Sequence, residues 1–311
     1  MRWKTGAPAP IALFVYNRPS HTEQTIIALR ENAESRDSDL VVFSDGPRSA
    51  ADEIKVRQTR AVIADVSGFR SARVVHRSEN WGLARSIISG VSQILASADR
   101  IIVLEDDMVT SPQFLNYVNT ALDLYSAEPA VACVHAYMYP IEGLPPFFFI
   151  RGGDCWGWAT WRNRWNLMDQ DGTHLLRALH QKGLLRAFNK TGGDGMVRML
   201  TDQIRGKNSS WAIRWHASLF AAGKLTLQPG RSFVRNIGLD NLGTHCEATN
   251  QFDVVPEQEF SGLPELAVVE DQDSVEKIRQ FHKGRLKSRW YRRAMRQIVD
   301  EVQMRKIIRY G

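Results

Sequence analysis

Apolar residues in this chain fall in compact runs separated by amphipathic stretches, and that alternation sets the expected fold. Ile11–Tyr16 is an apolar run stopped by Asn17-Arg18-Pro19, the pattern of a buried strand followed by a turn. Glu23–Asn32 then carries Ile26, Ile27 and Leu29 at spacings that suit a helix on a sheet, with Ser20 or Thr22 as its cap. Further strands are expected at Leu40–Phe43, Arg73–His76 and Ile101–Leu104. Helices are expected over about Asp52–Ala64, Trp81–Ala96 and Pro112–Tyr125. Four strands alternating with helices before residue 126 predict an α/β protein with a mostly parallel, Rossmann-type sheet flanked by helices. Beyond His135 the pattern changes. Residues 146–165 are dense in aromatics, Gly and Arg, residues 172–207 read as helical with a break at Gly192-Gly193, and residues 247–270 are loop-rich.

In open sheets of this kind ligands sit beyond the carboxyl ends of the strands. Three polar clusters fall at those ends: Asn17-Arg18, Ser44-Asp45 and Glu105-Asp106-Asp107. Along an extended chain Glu105 and Asp107 point one way and Asp106 the other. Two carboxylates projecting from a buried strand suit a hard divalent cation, Mn²⁺ or Mg²⁺, bridged to phosphates. Such an ion offsets charge building on a leaving diphosphate. Acidic residues after a strand also serve as plain turn or capping groups, but the company of the other polar strand ends favours the metal. Arg18 has the planar fork that pairs with a diphosphate, or else it is a solvated turn residue. Asp45 offers an acceptor to a base or ribose, or else it belongs to an ordinary Asp-Gly turn.

Taken in order, the strand ending in Asn-Arg-Pro, Ser44-Asp45-Gly46, Asn80-Trp-Gly-Leu-Ala-Arg85, Val103-Leu-Glu-Asp-Asp107 and Gly157-Trp158 resemble bacterial GT-A-fold glycosyltransferases. They are more distantly similar to eukaryotic N-acetylglucosaminyltransferase I. The resemblance covers roughly residues 9–250 and is most specific at Glu-Asp-Asp with the following helix that holds Phe114 and Tyr117. It implies a nucleotide-sugar donor, Asp107 as direct metal ligand, and Glu105 against the donor sugar as a catalytic group. Arg18 would take the diphosphate, Asp45 the nucleobase, by analogy uracil, and Asp106 would join the donor-binding set. Trp156, Gly157 and Trp158 would fall near the donor and acceptor pockets, although core packing explains such a tryptophan cluster equally well. His245, closing Asn236–His245, would complete the metal site or reach the diphosphate.

One departure stands out. Where inverting relatives carry a base in Trp-Asp-Asp-Trp, this chain reads Trp211-Ala212-Ile213-Arg214-Trp215, and an alanine accepts no proton. Asp154 is the favoured replacement, ahead of Asp194 and Asp240. A retaining mechanism that needs no such base is the alternative.

Charge changes the picture only at the end of the chain. Of a net +6, residues 281–311 hold a surplus of eight, with ten Lys and Arg against Asp300 and Glu301, so the rest sums to −2. From Gly284 to Tyr310 the apolar residues recur at helical spacing, which predicts a basic amphipathic helix. It suits an anionic membrane surface or packing on its own domain, ahead of nucleic acid, which is not expected as a partner. The expected division is therefore 1–250, a catalytic domain with halves 9–130 and 131–250, and 251–311, a linker and basic helix. Cys133, Cys155 and Cys246 lack metal-type spacing and read as reduced thiols. Ile11–Tyr16 is too short for a signal peptide. A cytoplasmic protein at the inner face of the membrane is expected, moving sugar to a glycan or lipid-linked acceptor in surface polysaccharide synthesis. Two rivals remain at this level. A nucleotidyltransferase would show a Gly-rich basic loop after the first strand, where this chain has Asn-Arg-Pro-Ser. A non-catalytic carbohydrate-binding relative would account for Ala212.

Overall fold

Pro8 and Ala9 lead into β1 (Ile11–Val15), whose five residues are all buried. The computed structural model describes residues 8–240, 251–284, 304, 307 and 308. After β1 come α1 (Pro19–Arg30), β2 (Asp39–Ser44), α2 (Ala50–Ile63), β3 (Ser71–His76), α3 (Gly82–Leu95) and β4 (Arg100–Glu105). The first helix starts at Pro19, whose fixed φ suits a first helical turn and whose missing N–H costs nothing there. A short β5 (Met108–Thr110) precedes α4 (Phe114–Leu124), β6 (Val131–His135), β7 (Phe147–Arg151) and β8 (Trp158–Trp161). The second half adds α5 (Arg162–Trp165), α6 (Gly172–Gln181), α7 (Leu185–Lys190), α8 (Met196–Ile204) and α9 (Trp211–Ala221). It closes with β9 (Leu225–Pro229), β10 (Val234–Asn236) and α10 (Gln272–Gly284).

Eight strands form one sheet in the order β3-β2-β1-β4-β8-β6-β9-β7, and β10 pairs with β5 alone. The first four strands are mutually parallel, as is β6 with β9, while β8 and β7 run against their neighbours. The sheet is thus mostly parallel and lies between helices, a GT-A-like α/β fold. Helices α1, α2 and α4 bury Leu29, Ile63 and Leu122 on one face. On the other, α3, α5 and α9 bury Val91, Trp165 and Trp215. The α3 helix comes close to β1 because Gly90 lacks a side chain: a Cβ there would sit 2.7 Å from the Phe14 ring, itself stacked on Phe43 at 5.0 Å.

Neighbours β1 and β4 matter most for function. From β1 the chain moves through α1 to β2 on one side, and after β3 it returns to place β4 on the other. Such a reversal opens a crevice at the carboxyl ends of the two strands.

The helical stretch expected over 172–207 is three helices. It breaks at Gly183 (φ +67°) as well as at Gly192-Gly193, since Gly183 adopts the left-handed conformation that ends a helix. Residues 251–284 lie against the sheet. Phe252 is buried in the main core, the Asp271 N–H donates to the Phe149 carbonyl at 2.8 Å, and Ile278 packs on Met138 and Phe148. Most of the expected basic helix lies outside the described residues. Met304, Ile307 and Ile308, however, pack partly buried on the cluster formed by Leu176, Leu179 and Phe220. No helix of the described residues is long and apolar enough to cross a membrane.

Candidate active site

The register Phe14↔Glu105 brings the ends of β1 and β4 level, so Arg18 meets the acidic turn. Its guanidinium pairs with Asp106 and lies 2.9 Å from Asp107 Oδ2. Sequence alternation placed Asp106 and Asp107 on opposite faces. They share one cation instead, because β4 ends at Glu105 and the two aspartates form a turn. Asp106 also accepts from the Tyr16 N–H at 3.4 Å and is 3% exposed, so it braces the crevice and its contacts are internal. Arg18, expected to face a diphosphate, is likewise engaged with these carboxylates.

Two carboxylates thus share one guanidinium, and Glu105 lies near enough to feel all three charges. Burial, then the charges of Asp107 and Asp106, push Glu105 up to about 8 against the pull of Arg18. Burial also raises Asp106, with Arg18 opposing. Arg18 is desolvated, yet the two aspartates hold it above its usual range. Asp107 Oδ1 is buried with no hydrogen-bond partner among the described residues, a costly state for a carboxylate oxygen. The backbone of Gly238 passes directly over the pair, so close that a Cβ would overlap Asp107 Oδ2 and approach Arg18 Nη1 to 2.7 Å. Excess negative charge, hard oxygen donors and an orphaned oxygen fit a divalent cation. Among the described residues no three metal-ligating side chains converge. Such an ion would keep water and phosphate oxygens in its shell, as Mg²⁺ commonly does. His245 lies outside the described residues.

The crevice opens into a cavity of about 780 Å³ whose wall includes Arg18, Asp45, Glu105, Asp107, Asp154 and Trp156. Asp45 is 6% exposed and its oxygens accept from the N–H groups of Gly46 (3.0 Å), Trp81 (2.8 Å) and Gly82 (2.9 Å). Expected at a nucleobase, it caps the start of α3, because the helix leaves N–H groups there without internal partners.

Asp154 stands on the loop between β7 and β8. Its Oδ1 accepts from the Cys155 N–H at 2.8 Å, and His135 Nδ1 lies 3.4 Å from Oδ2. Beside this loop α9 presents Ala212 and, one turn on, His216 to the cavity. His216 Nδ1 is 2.8 Å from the Gly153 carbonyl and Nε2 is 2.9 Å from Thr191 Oγ1. Burial lowers the His216 pKa, although the Gly153 carbonyl and Asp154 oppose this. The position where relatives carry a base does face the cavity; here it is bare, and Asp154 reaches the same space. Asp194 and Asp240 do not line it. Asp194 pairs with Arg279 (3.3 Å) and Lys283 (3.1 Å), and Asp240 lies 3.1 Å from His21.

The aromatic expectation divides. Trp156 lines the cavity, edge-on to Tyr137 at 4.7 Å. Trp158 is 0% exposed, packed among Trp165, Trp211 and Trp215 at 5.4–5.8 Å, and touches no ligand space. Gly157, at φ +67° under Val234, shapes the backbone and does not line the cavity. His135, Gln228 and His216 also line the cavity. His135 ends a buried strand, the same signal that marked Glu105, whereas a histidine inside a helix such as His216 carries no local signal. Cys133 and Cys155 are free thiols, and burial pushes Cys133 up to about 12. Cys246 lies outside the described residues.

The family model described as glycosyl transferase family 2 matches residues 11–175, a little over half the chain. No curated protein matches it. Among solved structures it is similar to a mannosyltransferase from Pyrobaculum calidifontis in complex with GDP-Man and Mn²⁺, at 18% identity and a TM-score of 0.31. That match covers 45% of this chain and 40% of the other, so the chain spans less than half of that protein's length. It is also similar to glucosyl-3-phosphoglycerate synthase from Mycobacterium tuberculosis in complex with Mn²⁺, UDP and glucosyl-3-phosphoglycerate. There the identity is 14%, the coverage 58% and 68%, and the TM-score 0.33.

Proposed function

The chain belongs to glycosyl transferase family 2, and from that premise we propose that it moves a sugar from a nucleotide-sugar donor, a UDP-sugar by preference, to a hydroxyl of a glycan or lipid-linked acceptor. One observation carries the reading: the surplus of carboxylates where β1 and β4 part, with Asp107 Oδ1 lacking any partner among the described residues. Asp107, with Glu105 beside it, would hold Mn²⁺ or Mg²⁺. When bound, that ion neutralises charge on the departing diphosphate. Arg18 would pair with the same diphosphate and provide a second positive charge. Trp156 offers a ring face to a sugar.

Asp154 is the base of this reading. The acceptor hydroxyl gives its proton to the Asp154 carboxylate while its oxygen bonds to the anomeric carbon. The bond from that carbon to the diphosphate oxygen breaks, and its electron pair leaves with the nucleoside diphosphate. Displacement of this kind inverts the anomeric centre. The catalytic residues of this reading all fall within 1–250, and residues 251–284 pack against that part of the chain. The surplus of eight positive charges in 281–311 supports work on an acceptor at an anionic membrane surface in cell-surface polysaccharide synthesis.

The test is sugar release and transfer from a panel of UDP-sugars with and without EDTA, together with a thermal-shift screen of nucleoside diphosphates with and without Mn²⁺. Turnover that needs the metal and disappears in Asp107→Ala supports the reading. Undiminished turnover in that variant, or in EDTA, sinks the metal site.

A further inference from the structure

Asp154 sits on a loop, and a carboxylate on a loop is a poor base unless something fixes its backbone and its torsion. Gly152 and Gly153 let the loop press on α9: a Cβ at Gly152 would overlap His216, and one at Gly153 would sit 2.6 Å from Trp215 Nε1. The His216 ring then holds the Gly153 carbonyl at 2.8 Å, which fixes the backbone. The side chain is fixed from another direction. His135 ends β6, and β9 runs parallel beside it, which sets Gln228 next to His135. His135 Nδ1 lies 2.8 Å from Gln228 Oε1 and 3.4 Å from Asp154 Oδ2, both acceptors. Its Nε2 faces the Trp156 N–H, a donor, at 3.3 Å. The Trp156 N–H occupies the Nε2 lone pair, so the neutral ring carries its one proton on Nδ1, hydrogen-bonded to Gln228 with Asp154 Oδ2 farther off on the same edge.

We propose that His135 is a positioning residue for the transfer reaction: held by Gln228 and the Trp156 N–H, it turns its Nδ1–H edge toward Asp154 Oδ2 and so aims that carboxylate at the acceptor hydroxyl. The inference rests on Asp154 being the base. His135 is 2% exposed and Gln228 1%, so each adds little surface to the cavity wall, whereas the Asp154 side chain keeps 30% of its surface open. With Oδ1 bound to the Cys155 N–H, Oδ2 is the oxygen this reading gives to the acceptor hydroxyl. The other titratable groups that feel Asp154 are His216, Tyr137, Cys133 and Cys155; none of them has a nitrogen or oxygen donor placed on Oδ2.

Two measurements on the full chain decide it. Nitrogen NMR of histidine-labelled protein at neutral pH is expected to show His135 as the Nδ1–H tautomer, and the Nε2–H tautomer overturns the proposal. Kinetically, His135→Asn keeps an N–H near the Nδ1 position and His135→Phe keeps the bulk without it. The Phe variant is expected to lose about 10²-fold in kcat at unchanged donor KM, the cost of a misplaced reacting group, and the Asn variant to recover most of it. A purely structural role would lower the melting temperature of both and separate neither in kcat, which overturns the proposal. If the Phe variant does not fold, the tautomer and the Asn variant's kcat still decide. Asp154→Asn tells the two failures apart. Full activity there removes the base and this inference with it, while a dead Asp154→Asn beside a fully active His135→Phe removes His135 alone.

Discussion

Arg18 Nη2 lies 2.9 Å from Asp107 Oδ2, while the other oxygen of the same carboxylate is buried without a partner among the described residues. Half of Asp107 is thus compensated by protein and half is open to something else. A diphosphate and a divalent ion entering together can take over both halves, with Arg18 exchanging a carboxylate for phosphate. UDP with Mn²⁺ is therefore expected to raise the melting temperature more than UDP alone. At a ligand concentration of 100 times Kd the stabilisation is about 2.7 kcal/mol. In Asp107→Ala the increment due to Mn²⁺ should vanish, and a retained increment places the metal elsewhere.

Gly238→Ala tests the same cluster without touching a charge. Its new Cβ overlaps Asp107 Oδ2 and crowds Arg18 Nη1, so the carboxylate must rotate away. Transfer activity is expected to fall about 10²-fold, as a displaced reacting group costs, with the helical circular dichroism unchanged. Activity equal to the parent chain would show that Asp107 need not keep this position.

Trp158 and Trp156 should separate cleanly in a stability assay. Trp158→Ala opens a cavity within the tryptophan cluster and is expected to cost about 3–5 kcal/mol of unfolding free energy. Trp156→Ala removes a partly buried cavity wall. It should unfold at a higher denaturant concentration than the Trp158 variant but raise KM for sugar substrates. Equal loss of stability in both would contradict the core assignment of Trp158.

Asp194 supplies a prediction in pH. Burial raises its carboxyl, but the hydrogen bonds and charges of Lys283 and Arg279 outweigh that and leave it below the ordinary value. A depressed carboxyl contributes stability above its unfolded pKa and loses it as the pH falls through the folded one. The pair linking the α7–α8 loop to α10 should therefore hold at neutral pH and weaken below about pH 4. Asp194 also sits at φ +71°, a conformation asparagine tolerates. Asp194→Asn thus removes the charge alone. The difference in melting temperature between parent and Asp194→Asn should shrink on acidification from pH 7 to pH 3.5. A difference that stays constant with pH refutes the ion-pair account.

Local pattern already determined the first half of the fold. A strand buried on both faces must be apolar throughout, so β1, β2 and β4 stand out as runs in the sequence, and the polar residues that stop them mark the ligand side of the sheet. Arg18, Asp45 and Glu105–Asp107 were found that way, and all line one cavity. What each does there was not local. Asp45 caps a helix that begins at Gly82, and Arg18 answers a carboxylate 88 residues away. Trp156 and Trp158 look alike in sequence, yet only the approach of α9 buries one among tryptophans and leaves the other at the cavity. The arrangement around Asp154 joins His135 to Gln228 across 93 residues. Hydrogen bonds of that span depend on which strands become neighbours, and strand order is settled by packing of the whole sheet rather than by any stretch of chain.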